Sequence, residues 1–191
     1  MTSKELKQIG LFGVLYFLCV GVGTAVELIA VRSGNMILAP AFSGVTAGVT
    51  YMTLLHKVPK WGGITFLGLV MASFFFLSGH YLFSFLPNLI CGLLADGVAK
   101  MGHYRSKWHN LVSYILFSLG NLGPILLMWF ARDAYIQQLL KRGKDMAYVN
   151  RVMLDFSVET LLFLIGTVTV GALIGGLLGQ YFVRKRVAKV A

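Results

Sequence analysis

The sequence predicts an all-α polytopic membrane protein, a single domain (residues 1–191) built as a bundle of six transmembrane helices. Three observations carry that reading. Hydrophobic residues make up 57% of the 191-residue chain and charged residues only 13%, about half the share that a soluble domain uses to coat its surface. The apolar residues fall into six runs near the roughly 20 residues that cross a hydrocarbon core. The basic residues gather in the connections between those runs rather than on one polar face.

Each run has its own features. The first, residues 8–31, is longer than the roughly 7–15 apolar residues of a signal-peptide core, and no A-x-A pattern follows it. It is expected to remain as a helix. The second, 36–55, carries Pro40 near its start. The third, 62–78, and the fourth, 81–99, are separated only by Ser78-Gly79-His80 and predict a tight antiparallel hairpin. Pro87 lies in the first part of the fourth run. The fifth covers 108–131 and the sixth 156–183. The alternation of barrel strands is absent, which argues against a β-barrel. In the long connection 132–153, Ile136, Leu139 and Leu140 have helical spacing and Gly143 ends the pattern. It reads as an amphipathic external helix followed by a second short turn, lying on the membrane surface or capping a cavity.

The charges orient the bundle. With both termini in the cytoplasm, Lys4, Lys7, Lys57, Lys60, Lys100, Arg105, Lys107, Arg184, Lys185, Arg186 and Lys189 fall inside, out of 17 Lys and Arg. Arg32, Arg132, Lys141, Arg142, Lys144 and Arg151 fall outside, together with five of the seven acids: Glu27, Asp133, Asp145, Asp155 and Glu159. The positive-inside rule favours this arrangement and a multi-pass location in the cytoplasmic membrane. Trp61, Trp108, Trp129 and Tyr181 sit near run ends, where aromatic belts form. The net charge of +10 raises nucleic acid as a partner. Its dispersal over separate loops argues against that. Cys19 and Cys91 lie inside apolar runs and read as small apolar residues, not as a disulfide or a metal framework.

Catalytic signatures are missing. There is no phosphate-binding loop, no H-E-x-x-H and no G-x-S-x-G. No enzymatic activity, cofactor or metal is expected, and any active transport must draw on ATP hydrolysed elsewhere. His56, His80, His103 and His109 are scattered. Polar residues within the runs are more telling, because ionisable and amide groups in a span are costly and tend to face a cavity or a partner. Pro124 breaks the fifth run beside Asn121, and Pro87 adjoins Asn88 at the same side of the membrane. These residues, with His80 at the hairpin tip, Trp129 as an apolar wall and Arg132 and Glu159 at the run ends, predict a substrate pocket between the fourth, fifth and sixth runs, under the 132–153 loop. The plainer alternative is that Glu159 and Arg132 form a structural pair. Asp96, four residues before Lys100, reads as one half of a helical ion pair. Gly171, Gly175 and Gly179 line one face of the sixth run. They serve either close packing inside the bundle or docking to another membrane subunit.

Several stretches carry a family resemblance. They are His56-Lys57-Val58-Pro59-Lys60-Trp61-Gly62, Leu77-Ser78-Gly79-His80, Ile90-Cys91-Gly92-Leu93-Leu94-Ala95-Asp96, Phe117-Ser118-Leu119-Gly120, Gly123-Pro124, Trp129-Phe130-Ala131-Arg132-Asp133-Ala134-Tyr135 and the glycine-rich run from Gly171 to Gly179. Over nearly its whole length the chain resembles a substrate-binding (S) component of an energy-coupling factor (ECF) transporter. It is most similar to the group described as Trep_Strep or MptD-like. The resemblance implies six helices, termini inside, and a pocket in the outer half for a vitamin-like molecule. It also implies partnership with a coupling membrane subunit and two cytoplasmic ATPases. Such components commonly dock through an Ala-x-x-x-Ala face on the first helix. Gly10 and Val14 occupy the corresponding positions, with Gly13 adjacent, and Val14 departs from the pattern. Haem or another tetrapyrrole, with His80 as axial ligand, is an alternative cargo. A stand-alone secondary transporter and a membrane enzyme acting on lipids are the alternative classes, though no internal repeat and no acid–base cluster supports them.

Overall fold

The computed structural model describes residues 1–31, 36–77 and 85–188, without the side chains of 75–77. The expected hairpin tip at 78–80, His80 and Arg32 lie outside these residues. Among the described residues the chain is helical throughout: α1 (Ser3–Ala30), α2 (Ala39–Lys57), α3 (Gly63–Leu77), α4 (Leu86–Met101), α5 (Lys107–Leu119), α6 (Gly123–Phe130), α7 (Arg132–Lys141), α8 (Met146–Val152) and α9 (Val158–Ala188). A 3-10 turn, Gly120–Leu122, joins α5 to α6.

Local chemistry sets the boundaries. Thr2 and Glu5 form a reciprocal capping box that opens α1. Pro40, Pro87 and Pro124 all sit in first turns, of α2, α4 and α6, where no intrahelical N–H is missed. Among the described residues of the fourth run, α4 opens at Leu86, with Pro87 in its first turn. Pro124 does break the fifth run, and the 3-10 turn fills the break. Gly143, with φ of +76°, stops α7 as its left-handed conformation requires. Asp145 then caps α8 by accepting from Tyr148 N at 2.7 Å.

Among the described residues, three stretches are long and apolar enough to cross a bilayer by themselves: Ser3–Ala30, Lys107–Phe130 and Val158–Ala188. The first and last, at 28 and 31 residues, extend over about 42 and 46 Å at 1.5 Å per residue. The other expected runs form shorter helices of 19, 15 and 16 residues. The helices close into a ring. α2 lies between α1 and α9, α9 meets α5, α5 meets α4, α4 meets α3, and α3 returns to α1. The outside of this ring is apolar, with Leu11, Leu18, Ile29, Ile90, Leu94, Leu162, Val170 and Leu177 all exposed. The interior holds an aromatic cluster in which Tyr51 packs on Tyr114 and Phe117, and Tyr16 meets Phe117 edge-on.

Two devices hold the ring together. The α2–α9 contact is made backbone to backbone. Gly44 and Gly48 face Gly171, Gly175 and Gly179, and a methyl group on Gly48 or Gly175 would overlap a carbonyl of the opposite helix. Gly171 and Gly175, expected as docking candidates, are thus buried inside the bundle. Asp96 provides the second device. It is fully buried and accepts from Gly62 N (2.8 Å), Thr65 N (3.0 Å), Thr65 Oγ1 (2.9 Å) and Tyr104 Oη (3.0 Å). It thereby caps α3 from α4 and anchors the loop that follows α4. The expected pair with Lys100 is replaced by this role, and Lys100 Nζ lies 5.0 Å from the Trp61 ring centre instead.

Candidate functional site

Buried hydroxyls elsewhere in the bundle are satisfied. Tyr51 Oη and Ser113 Oγ lie 2.7 Å apart, Ser113 donates to Ala95 O at 2.6 Å, and Tyr114 donates to Gly44 O at 2.7 Å. Apart from Asn110 Oδ1 near the start of α5, the buried polar atoms without a partner among the described residues fall in one group. Tyr16 Oη, Ser118 Oγ and both amide atoms of Asn88 and Asn121 are buried without a hydrogen-bond partner. The Tyr16 hydroxyl lies near Asn121 and Ser118 without closing a bond of good geometry. Asn88 packs against Gly120, the residue before Asn121. Unsatisfied buried groups each cost about 1–3 kcal/mol, so a cluster of them in one place marks a candidate site.

Asn121 connects that cluster to a cavity of about 360 Å³. The Pro124 break places it there: the 3-10 turn carries Asn121 at the end of the α5 hydrogen-bond ladder, and its side chain, 6% exposed, forms part of the wall. Val20 and Thr24 of α1, Pro40 and Ser43 of α2, and Pro124, Ile125 and Met128 of α6 complete the sides. Tyr135 of α7 and Tyr148 and Val152 of α8 close the top. The 132–153 connection therefore caps a cavity. Its own small core of Leu139, Val149 and Val152 keeps the two short helices together. The wall is mostly apolar and aromatic, with one amide and four hydroxyls, and no acid or base among the described lining residues. Such a surface binds by shape and a few hydrogen bonds. It offers no general acid–base pair.

The expected residues separate into those near the cavity and those away from it. Asn121 lines it and Asn88 lies behind Asn121. Trp129 does not line it: its indole N–H donates to Leu154 O at 3.1 Å and its ring meets Phe156 edge-on, so it fastens the segment entering α9. Arg132 pairs with Asp155 at 2.7 Å on the surface, rather than with Glu159. Glu159 is exposed in the first turn of α9. This cavity lies among α1, α2 and α6, the last being the outer part of the fifth run. Tyr16, Thr24, Ser43, Tyr135 and Tyr148 were not singled out from the sequence. Tyr16 and Thr24 do carry the signal of polar groups inside an apolar run.

On the first helix, Gly13 faces inward, where an added methyl would meet Val70 at 2.5 Å. Gly10 has open space over it, and Val14 is 45% exposed. Among the described residues no cluster of three or more His, Cys, Asp or Glu could hold a metal ion.

An apolar ring of helices, closed by interior glycine contacts and enclosing a capped cavity, defines an integral, multi-pass membrane protein. The chain belongs to the family described as hypothetical bacterial integral membrane protein (Trep_Strep), whose model matches residues 3–189. No curated protein and no solved structure matches it.

Proposed function

We propose that this protein is the substrate-binding membrane subunit of an energy-coupling factor importer. It captures a small vitamin-like molecule in the cavity beneath α7 and α8, while partner subunits hydrolyse ATP. The carrying observation is Asn121, an amide more than nine-tenths buried at a cavity wall with both its polar atoms unpartnered. A ligand offering one donor and one acceptor would satisfy it and remove the desolvation cost. The volume falls within the roughly 300–1,000 Å³ of small-molecule sites. Asn121→Leu is expected to weaken ligand binding by about tenfold or more, the equivalent of one lost hydrogen bond of about 1.5 kcal/mol. Binding of candidate vitamins to the purified, monodisperse variant measures this. An affinity within about twofold of the parent would remove the cavity from the role.

In this reading all six apolar runs span the membrane and both termini face the cytoplasm. α7 and α8 then lie outside, at the end from which the ligand arrives. A cysteine at Lys144 should react with an impermeant maleimide in intact cells, and one at Lys57 only after permeabilisation. The reverse pattern would invert the protein and place the cavity on the wrong side for uptake.

The coupling subunit docks on the outward face of α1 in this proposal. Gly10 and Val14 lie on that face, and Gly10 leaves room for a close helix crossing. Gly10→Leu is expected to reduce co-purification with the coupling subunit at least about fivefold, or about 1 kcal/mol, with ligand binding by the isolated chain unchanged. Intact co-purification would move the docking face elsewhere.

A further inference from the structure

A second cavity, of about 240 Å³, opens at the opposite end of the bundle, where α2, α4 and α9 end and α5 begins. Its described wall includes His56, Arg105, Lys107 and Arg184 and no acidic residue. Arg105, Lys107 and Arg184 are exposed, so water and salt screen their mutual repulsion, and an anion among them would lower it further. The first turn of α5 presents backbone N–H groups here, while the carbonyl ends of α2, α4 and α9 face the same cations.

The walls are held in place independently of the cations. Tyr104 takes a left-handed backbone, φ 58°, directly after His103 at φ 49°. Two non-glycine residues in that conformation persist only where their surroundings hold them. Here Asp96 accepts the Tyr104 hydroxyl at 3.0 Å, and Asn110 Nδ2 donates to Tyr104 O at 3.1 Å. Gln180 Nε2 donates to Lys107 O at 2.8 Å and ties α9 to the start of α5. Asn110 Oδ1 is left buried without a partner at the cavity wall. The site combines three exposed cations on a held backbone with one spare acceptor.

We propose that this cavity binds a phosphate-bearing anion that also carries a hydroxyl, the chemistry of a glycerophosphate headgroup. The phosphate lies among Arg105, Lys107 and Arg184, and the hydroxyl donates to Asn110 Oδ1 once that shielded amide turns toward the cavity. Arginine and lysine match phosphate oxygens with charge-assisted hydrogen bonds. The exposed Trp108 and Phe182 at this end belong to the residue types that settle at the headgroup level of a bilayer. A bilayer lipid is therefore one source of the phosphate, and a soluble phosphate is the other.

The full-length protein in non-ionic detergent is titrated with short-chain phosphatidylglycerol, phosphatidylcholine and inorganic phosphate, and binding is followed by native mass spectrometry. Phosphatidylglycerol is expected to bind at least about tenfold more tightly than phosphatidylcholine. The double variant Arg105→Gln/Arg184→Gln should lose about tenfold of that affinity. Lys4→Gln/Lys7→Gln, with the same charge change at the same end but outside the cavity, should keep it within about twofold. Inorganic phosphate that binds with the same dependence on Arg105 and Arg184, without a preference for the lipid, would support the site and assign it to a soluble phosphate. Equal losses in both double variants would reduce the effect to general surface charge and overturn the proposal. So would loss of an acidic partner protein in the arginine variant with all phosphate binding unchanged.

Discussion

Asp96→Ala is expected to destabilise the folded protein by about 3–5 kcal/mol, among the largest effects available to a single polar side chain in this bundle. The carboxylate accepts four hydrogen bonds from three places: the backbone at Gly62, Thr65 through both its amide and hydroxyl, and the Tyr104 hydroxyl. Bonds to a charged acceptor contribute about 1.5–3 kcal/mol each, and donors left buried without a partner cost about 1–3 kcal/mol. These contributions overlap, so the total stays below their sum. Burial, and then the neighbouring carboxylate, raise the Tyr104 hydroxyl above its ordinary pKa, so it remains a donor throughout the physiological range. Asp96→Asn should cost less, because a carboxamide oxygen in the Oδ2 position keeps three of the bonds and the NH2 then faces only the Tyr104 hydroxyl, which can accept from it. Thermal unfolding in detergent ranks the three proteins. A midpoint for Asp96→Ala within about 2 °C of the parent would mean that these bonds are not what fixes the start of α3.

The sequence held the lengths and composition of the elements but not their neighbours. The runs that became α1, α5–α6 and α9 were legible because a bilayer tolerates only long apolar helices. Pro124 announced the break in the fifth run for an equally local reason, a missing N–H. The short pair α7 and α8 was visible in the spacing of Ile136, Leu139 and Leu140 and in Gly143. Asp96 shows where local reading stopped. A carboxylate four residues before a lysine suggests a helical pair, yet its real partners stand more than thirty positions earlier and at Tyr104. Nothing in the spacing reveals that α3 begins beside α4 at that height.

The candidate site was legible to the same degree. Asn121 stood out because an amide next to a proline break in an apolar run needs a partner. The residues around it come from α1 and α2, which meet α6 only through the ring order of the helices. That order depends on tertiary packing, chiefly on which glycine face meets which. Trp129, Arg132 and Glu159 were drawn toward the pocket by their nearness in sequence to the cap. In the fold, Trp129 and Arg132 are occupied by Leu154 O and Asp155, and Glu159 faces outward.

The contact that sets the helix order leads to the sharpest packing test. Gly175→Leu is expected to prevent recovery of folded, monodisperse protein, and Gly175→Ala to destabilise it by about 3 kcal/mol, the upper part of the usual overpacking range. A methyl on Gly175 would overlap the Gly44 carbonyl and crowd Val45, both on α2, and neither is the end of a flexible side chain that can swing away. Relief requires the two helices to separate. That would open the neighbouring contacts of Gly171 with Ala41 and of Gly179 with Gly48 along the same interface. Gly166 lies on the same helix with nothing within 4 Å of an added methyl. Gly166→Leu should therefore yield normal amounts of folded protein and exclude a general intolerance of α9 to leucine. Size-exclusion profiles and thermal midpoints of the three variants provide the measurement. If Gly175→Leu behaved like Gly166→Leu, the glycine face would point out of the bundle, and Gly171 and Gly175 would return as candidates for docking a partner subunit.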